Sequence, residues 1–258
     1  MPTTNTSTSQ PNQSLDQRAL EAAAARRVSY AYIILFISML IAQGVANVTE
    51  WATAHGMAAQ TIINMWWALI LVRLGIYSIG VLLLFGALQA IGRTRGDAAP
   101  GLLARVAAGL YAIAAIDYVM LTLAWTMFSE ATKQSLQQVQ HWGSLAALLA
   151  ASTAHGATAM VTDRLATEAG EPPPALLKLG VIAVAGWQLL FSLMHNVMEM
   201  NLITRKSQWA WRTVSLIEVI ALYGMLFWLA RAAAKAASRA NSLFPMGSVF
   251  GQPPLAYW

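Results

Sequence analysis

Six long apolar runs constrain the fold of this chain more than any other feature of its sequence. A helix rises 1.5 Å per residue, so the roughly 30 Å hydrocarbon core of a bilayer needs about 20 apolar residues. Each of the six runs meets that requirement. The sequence therefore predicts an all-α, polytopic transmembrane helical bundle with these six spans: Val28–Val48, Thr61–Ile91, Leu102–Phe128, His141–Val161, Ala175–Ile203 and Val214–Ala234.

Composition agrees with a membrane protein and excludes several kinds of site. Only 10% of the residues are charged, whereas about a quarter are charged in a typical soluble domain. The chain has no cysteine, which rules out disulfides, thiolate metal ligands and thiol nucleophiles. Its formal net charge of +5 does not indicate nucleic-acid binding, because the basic residues lie at the ends of the apolar runs and form no stripe.

The distribution of basic residues predicts the orientation of the chain. Basic residues are enriched in the cytoplasmic loops of membrane proteins. Successive spans cross the membrane in opposite directions, so six spans place both termini and most of the basic residues on one side. This predicts an N-in/C-in protein of the cell inner (cytoplasmic) membrane. The residues on that side are Arg18, Arg26, Arg27, Arg93, Arg95, Arg105, Arg164, Lys178, Arg231, Lys235 and Arg239; those on the other are Lys133, Arg205, Lys206 and Arg212.

Two terminal segments flank the spans. Residues 1–27 form a polar N-terminal tail that ends in a short, Ala-rich cytoplasmic helix over Asp16–Arg27. Residues 235–258 are rich in Pro, Gly and aromatic residues, which predicts an extended C-terminal tail. Aromatic side chains in such a tail favour docking, so we expect other membrane protein subunits as partners in addition to the lipid bilayer.

Two ionisable residues fall inside the predicted spans at similar depth. Arg73 lies in span two and Asp117 lies past the midpoint of span three, which runs in the opposite direction. Charged residues within a bilayer are costly and tend to pair with one another. The sequence predicts a buried ion pair of Arg73 and Asp117. A substrate or proton site, or an Arg73 side chain that reaches the interface, are the alternatives.

A second group of polar residues is expected near the outer leaflet. His195 and Glu199 are four residues apart at the end of span five and therefore share one helical face. His141 and Glu218 fall at the same predicted level. Imidazole and carboxylate groups bind copper, iron or zinc, so these four residues form a candidate metal site. One b-type haem between His141 and His195, or a quinone, are alternatives.

Span four has a distinctive composition. It contains many Gly, Ala and Ser residues, which allow neighbouring helices to approach closely, so we expect span four in the centre of the bundle with span three as its partner. His155 lies in this span with no other histidine predicted near it. We expect a buried histidine that is bonded to a backbone carbonyl or to a Ser or Thr hydroxyl.

Three functional classes remain open on the sequence alone. The first is an integral subunit of a larger membrane complex, for example an energy-converting or oxidising assembly. The second is a small transporter or channel whose path is lined by Arg73, Asp117 and Glu199. The third is a metal-dependent membrane enzyme. The chain has no phosphate-binding loop, dinucleotide fingerprint or nucleophile elbow, and neither a substrate nor a catalytic residue can be named from its sequence.

Overall fold

The structure is a computed structural model that describes residues 15–127, 130–194 and 208–242. This part of the chain is all-helical, with no strand, and it holds six helices that are long and apolar enough to cross a membrane. The predicted helical bundle is thereby confirmed. The helices are α1 (Leu15–Ala54), α2 (Ala59–Arg95), α3 (Ala99–Met127), α4 (Glu130–Glu168), α5 (Ala175–Ser192) and α6 (Gln208–Ser242).

Several helices extend beyond the spans that the sequence predicts. The Ala-rich segment Asp16–Arg27 is continuous with the first span, so α1 is one helix of 40 residues. α4 begins at Glu130, before the predicted start of its span, and α6 continues to Ser242, into the predicted extended tail. At 1.5 Å per residue α1 is about 60 Å long, about twice the thickness of the hydrocarbon core.

The turn between α2 and α3 depends on two glycines. Gly96 ends α2 with a φ of 56°, a left-handed conformation that side chains disfavour. At Gly101 a Cβ atom would lie 2.4 Å from the carbonyl oxygen of Gly96. A larger residue would therefore force α3 away from the end of α2. Between α4 and α5, Pro172, Pro173 and Pro174 form the connection because proline cannot continue a helix.

Five helices close into a ring. Around the ring, α1 contacts α2, α2 contacts α3, α3 contacts α4, α4 contacts α6, and α6 contacts α1. The remaining helix, α5, packs on the outside against α4 and α6. Half of the apolar window of α4 is buried, against 11 to 29% for the other helices. The predicted central position of span four is confirmed, and so is its packing against span three.

Ion pairs connect neighbouring helices at each end of the bundle. Arg212 at the start of α6 pairs with Glu50 near the end of α1 at 2.5 Å, so these two helices are antiparallel. We call the end that holds the start of α1 and the end of α6 the terminal end, and the opposite end the distal end. At the terminal end Arg95 binds Glu21 at 2.5 and 2.7 Å, and it also binds Glu168. This network ties α1, α2 and α4 together.

Candidate functional site

Three polar side chains form a hydrogen-bonded chain inside the five-helix ring. The hydroxyl of Tyr111 on α3 lies 2.6 Å from Nδ1 of His155 on α4 and 2.8 Å from the hydroxyl of Tyr32 on α1. All three residues are buried. Burial of hydroxyl and imidazole groups is costly unless they are hydrogen-bonded, and here each one has a partner.

The partner of His155 differs from the prediction. The histidine is buried, as predicted, but its ring nitrogen bonds the phenol hydroxyl of Tyr111 and not a backbone carbonyl or a Ser or Thr hydroxyl. Sequence reasoning missed Tyr32 and Tyr111 altogether, because a tyrosine within an apolar run has the same pattern as an aromatic residue that only packs. The cost of a phenol hydroxyl in the middle of a span was the available signal.

Aromatic side chains continue this chain towards the distal end. The ring of Tyr223 on α6 lies 5.7 Å from His155 and 6.0 Å from Tyr32. Further along, Tyr77 on α2 and Tyr118 on α3 have ring centroids 4.8 Å apart. Seven side chains, contributed by all five helices of the ring, form what we call the polar column: Tyr32, Arg73, Tyr77, Tyr111, Tyr118, His155 and Tyr223.

Arg73 lies at the distal end of the polar column. Its guanidinium carbon is 5.1 Å from the centroid of the Tyr118 ring, a geometry in which the positive charge is attracted by the face of the ring. The Nε atom of Arg73 and the hydroxyl of Tyr118 are buried without a hydrogen-bond partner in the part of the chain that the structure describes.

The structure places no ion pair between Arg73 and Asp117. Their depths agree with the prediction, since Arg73 packs on Tyr118, the residue after Asp117. However, Asp117 lies beside Gly143 of α4, where a Cβ atom on the glycine would be 3.5 Å from Oδ1. The other oxygen, Oδ2, is buried and lacks a partner among the described residues. Successive helical residues point about 100° apart, which directs Asp117 and Tyr118 to different neighbours.

The predicted metal or haem site falls largely outside the described residues. His195 and Glu199 lie beyond residue 194, and only the backbone of His141 is described. Glu218 accepts a hydrogen bond from the indole of Trp187 on α5 at 2.5 Å. Among the side chains that are described, no three His, Cys, Asp or Glu residues could hold a metal ion together. The metal, haem and quinone sites therefore stay predictions.

A groove opens on the surface of the bundle behind the polar column. It measures about 200 Å³ and lies between α1 and α6, where Tyr32, Phe36, Tyr223 and Phe227 contribute to its walls. These walls are almost entirely apolar, which suits a hydrocarbon chain of the bilayer better than a polar head group. The groove therefore adds little polar chemistry to the column.

Comparison with known proteins gives no match: no family model, no characterised protein and no solved structure is similar to this chain. The function has to be inferred from the chemistry of the polar column and from its position inside the bundle.

Proposed function

We propose that the protein is a small transporter or channel of the cytoplasmic membrane that moves a small polar solute along the polar column. The observation that carries this proposal is the position of the column, which lies inside a closed ring of five apolar helices. Polar residues within membrane spans typically face such an interior and mark substrate pathways. The orientation with both termini in the cytoplasm, inferred from the basic residues, makes the terminal end of the column the cytoplasmic end.

The energetic cost of the column supports a role beyond packing. A buried hydroxyl or guanidinium nitrogen without a partner costs about 1–3 kcal/mol or more. Phenylalanine at Tyr118 would fill nearly the same volume without that cost. Hydroxyl and guanidinium groups along a path can replace the hydration shell of a polar solute, and this benefit arises only when such a solute is present.

The column favours a solute other than a proton or a metal cation. Arg73 carries a permanent positive charge, and an arginine in a conducting path raises the electrostatic barrier to cations and protons. At the other end, Tyr32, Tyr111 and His155 close the column through mutual hydrogen bonds. Passage of a solute requires these bonds to break and re-form, which favours a transporter over a permanently open channel.

Flux measurements in proteoliposomes test this proposal. We expect the purified protein to accelerate the entry of at least one small polar solute from a panel of neutral and anionic compounds. Tyr111→Phe removes the hydroxyl that bridges Tyr32 and His155. We expect the rate of solute entry to change roughly five- to tenfold, because a hydrogen bond contributes about 1–1.5 kcal/mol.

Tyr30→Phe is the matched control for that experiment. Tyr30 lies on α1 two residues before Tyr32 but is 60% exposed on the surface of the bundle. Its replacement should leave the flux unchanged. Absence of protein-dependent flux for every solute in the panel, with correctly folded protein in the vesicles, would contradict the proposal.

A second candidate function, a subunit of a larger membrane complex, is favoured by the pair of Trp187 and Glu218. Trp187 is 46% exposed on α5, outside the five-helix ring, and it binds a carboxylate of α6. A carboxylate on the outer side of a bundle is costly in lipid and is better accommodated at a protein interface. Co-purification of other subunits at fixed stoichiometry, lost in Glu218→Ala, would favour this function over transport.

A further inference from the structure

We infer that Arg73 and Tyr118, with the neighbouring phenol Tyr77, form a binding site for a small monovalent anion. The inference rests on the proposed function and names the class of solute that the column accepts. Its starting point is the pair of donors without partners at the distal end of the polar column, Nε of Arg73 and the hydroxyl of Tyr118.

The charge of Arg73 is not compensated by a nearby carboxylate. No carboxylate oxygen in residues 15–127, 130–194 and 208–242 is placed within 4.0 Å of its guanidinium, although the other ion pairs in these ranges are closer than that. The face of Tyr118 provides part of the stabilisation. Removing a cation from water is costly, and a bound anion would offset that cost.

The surrounding groups also match an anion. Guanidinium groups can bind an oxyanion through parallel N–H donors, and phenol hydroxyls can donate a further hydrogen bond. The ring of Tyr118 lies 5.1 Å from the guanidinium carbon of Arg73 and 4.8 Å from the ring of Tyr77, so two phenols lie beside the cation. The carboxylate of Asp117, the residue before Tyr118, has its Oδ1 beside Gly143 on α4.

The position of the site on the column explains how it would select a solute. Along α2 (Ala59–Arg95), Arg73 is about 33 Å from the terminal end of the helix and about 21 Å from its distal end, so it lies on the distal side of the middle. The hydrogen-bonded residues Tyr32, Tyr111 and His155 lie between it and the terminal end. An anion that enters from the distal side therefore reaches Arg73 before it reaches the closed part of the column.

Anion binding is measured first in detergent, without any requirement for transport. Nitrate, iodide and acetate are titrated at constant ionic strength against a large anion such as gluconate, and thermal unfolding is followed. At a concentration about ten times the dissociation constant, the Tm of the wild-type protein should rise by about 3 °C. Arg73→Gln should abolish this rise, and Arg73→Lys, which keeps the charge, should retain part of it.

Arg93→Gln is the matched control for charge. Arg93 lies on the same helix but is exposed at the terminal end, so its replacement should leave the anion-dependent rise in Tm intact. If small anions do not change the Tm of the wild-type protein, or if Arg93→Gln reduces the effect as much as Arg73→Gln does, the inference is wrong. A dependence on anionic lipid alone would assign Arg73 to a lipid phosphate and would also overturn it.

Flux separates this inference from the proposed function. Vesicles loaded with a halide-sensitive dye should show entry of iodide or nitrate that falls at least about tenfold in Arg73→Gln. If neutral solutes cross and anions do not, the protein is a transporter but the anion site is wrong. If anions stabilise the protein but no solute crosses, the site stands and the transport function fails.

Discussion

The two ends of the polar column differ in how their polar groups are satisfied. At the terminal end of the polar column, Tyr32, Tyr111 and His155 bond one another, and Arg95, which lies farther away at the terminal end of the bundle, is bound by two carboxylates. At the distal end, three buried polar atoms of described residues have no partner, and they belong to Arg73, Asp117 and Tyr118; a fourth such atom, Nε of Arg105, lies at the terminal end of the bundle, outside the polar column. The comparison separates a part of the bundle that stabilises the fold from a part that is prepared to bind a solute.

Packing accounts for part of the difference. The core of the terminal end is rich in alanine, which lets helix backbones approach closely and brings side chains within hydrogen-bond distance. Buried alanines from four helices contribute there: Ala22, Ala24, Ala25, Ala87, Ala104, Ala107, Ala108, Ala233 and Ala236.

The largest effect should come from the ion network at the terminal end. Arg95→Ala leaves Glu21, which is 3% exposed, as a buried carboxylate without its main partner. Breaking a buried ion pair in this way costs about 3–5 kcal/mol, measured as the free energy of unfolding in detergent. Arg93→Ala, at an exposed position two residues away, should cost less than about 0.5 kcal/mol. Equal losses in both variants would mean that the network does not stabilise the terminal end.

A smaller loss is expected for Tyr111→Phe. The replacement keeps the aromatic ring but leaves Nδ1 of His155 and the hydroxyl of Tyr32 without their shared partner. Loss of one partner from a buried hydrogen bond costs about 1–3 kcal/mol. Chemical unfolding should show that decrease, whereas Tyr30→Phe on the exposed face of α1 should show none. An unchanged stability would imply that water replaces the hydroxyl at the terminal end.

The smallest effect, and the sharpest test of the comparison, is Tyr118→Phe. The hydroxyl of Tyr118 has no partner among the described residues, so its removal should leave the free energy of unfolding unchanged or raise it by up to about 1 kcal/mol. The same variant should weaken the anion-dependent rise in Tm, because one donor of the site is lost. A destabilisation as large as that of Tyr111→Phe would show that the two ends do not differ in this way.

Much of the fold could be predicted because it follows from length and composition. The six apolar runs set the number of helices, and the small residues of span four indicated its central position, which the structure confirms. The limits of the helices were less predictable. Residues 130–140 and 235–242 are helical although they are too polar for a span, because a helix that has begun in the membrane can continue outside it at little cost.

The depth of the candidate-site residues along their helices could be predicted, but the neighbours that their side chains contact could not. Counting residues placed Arg73 level with Asp117, and the structure places it against Tyr118, the next residue. Adjacent side chains on a helix point about 100° apart. Arg73 therefore contacts the ring of Tyr118 instead of pairing with the carboxylate of Asp117. The tyrosines of the column were missed because a phenol in an apolar run has the same pattern as a packing residue until its partner is known.

The sequence by itself determined that this protein is a bundle of six apolar helices, and it placed Arg73, Asp117 and His155 within them. Only the tertiary structure decided how these residues meet, with His155 bonded to Tyr111 and the guanidinium of Arg73 over the ring of Tyr118. The physical reason is that the rise of a helix fixes depth along the bundle, whereas the rotation of each helix about its axis is set by packing against its neighbours.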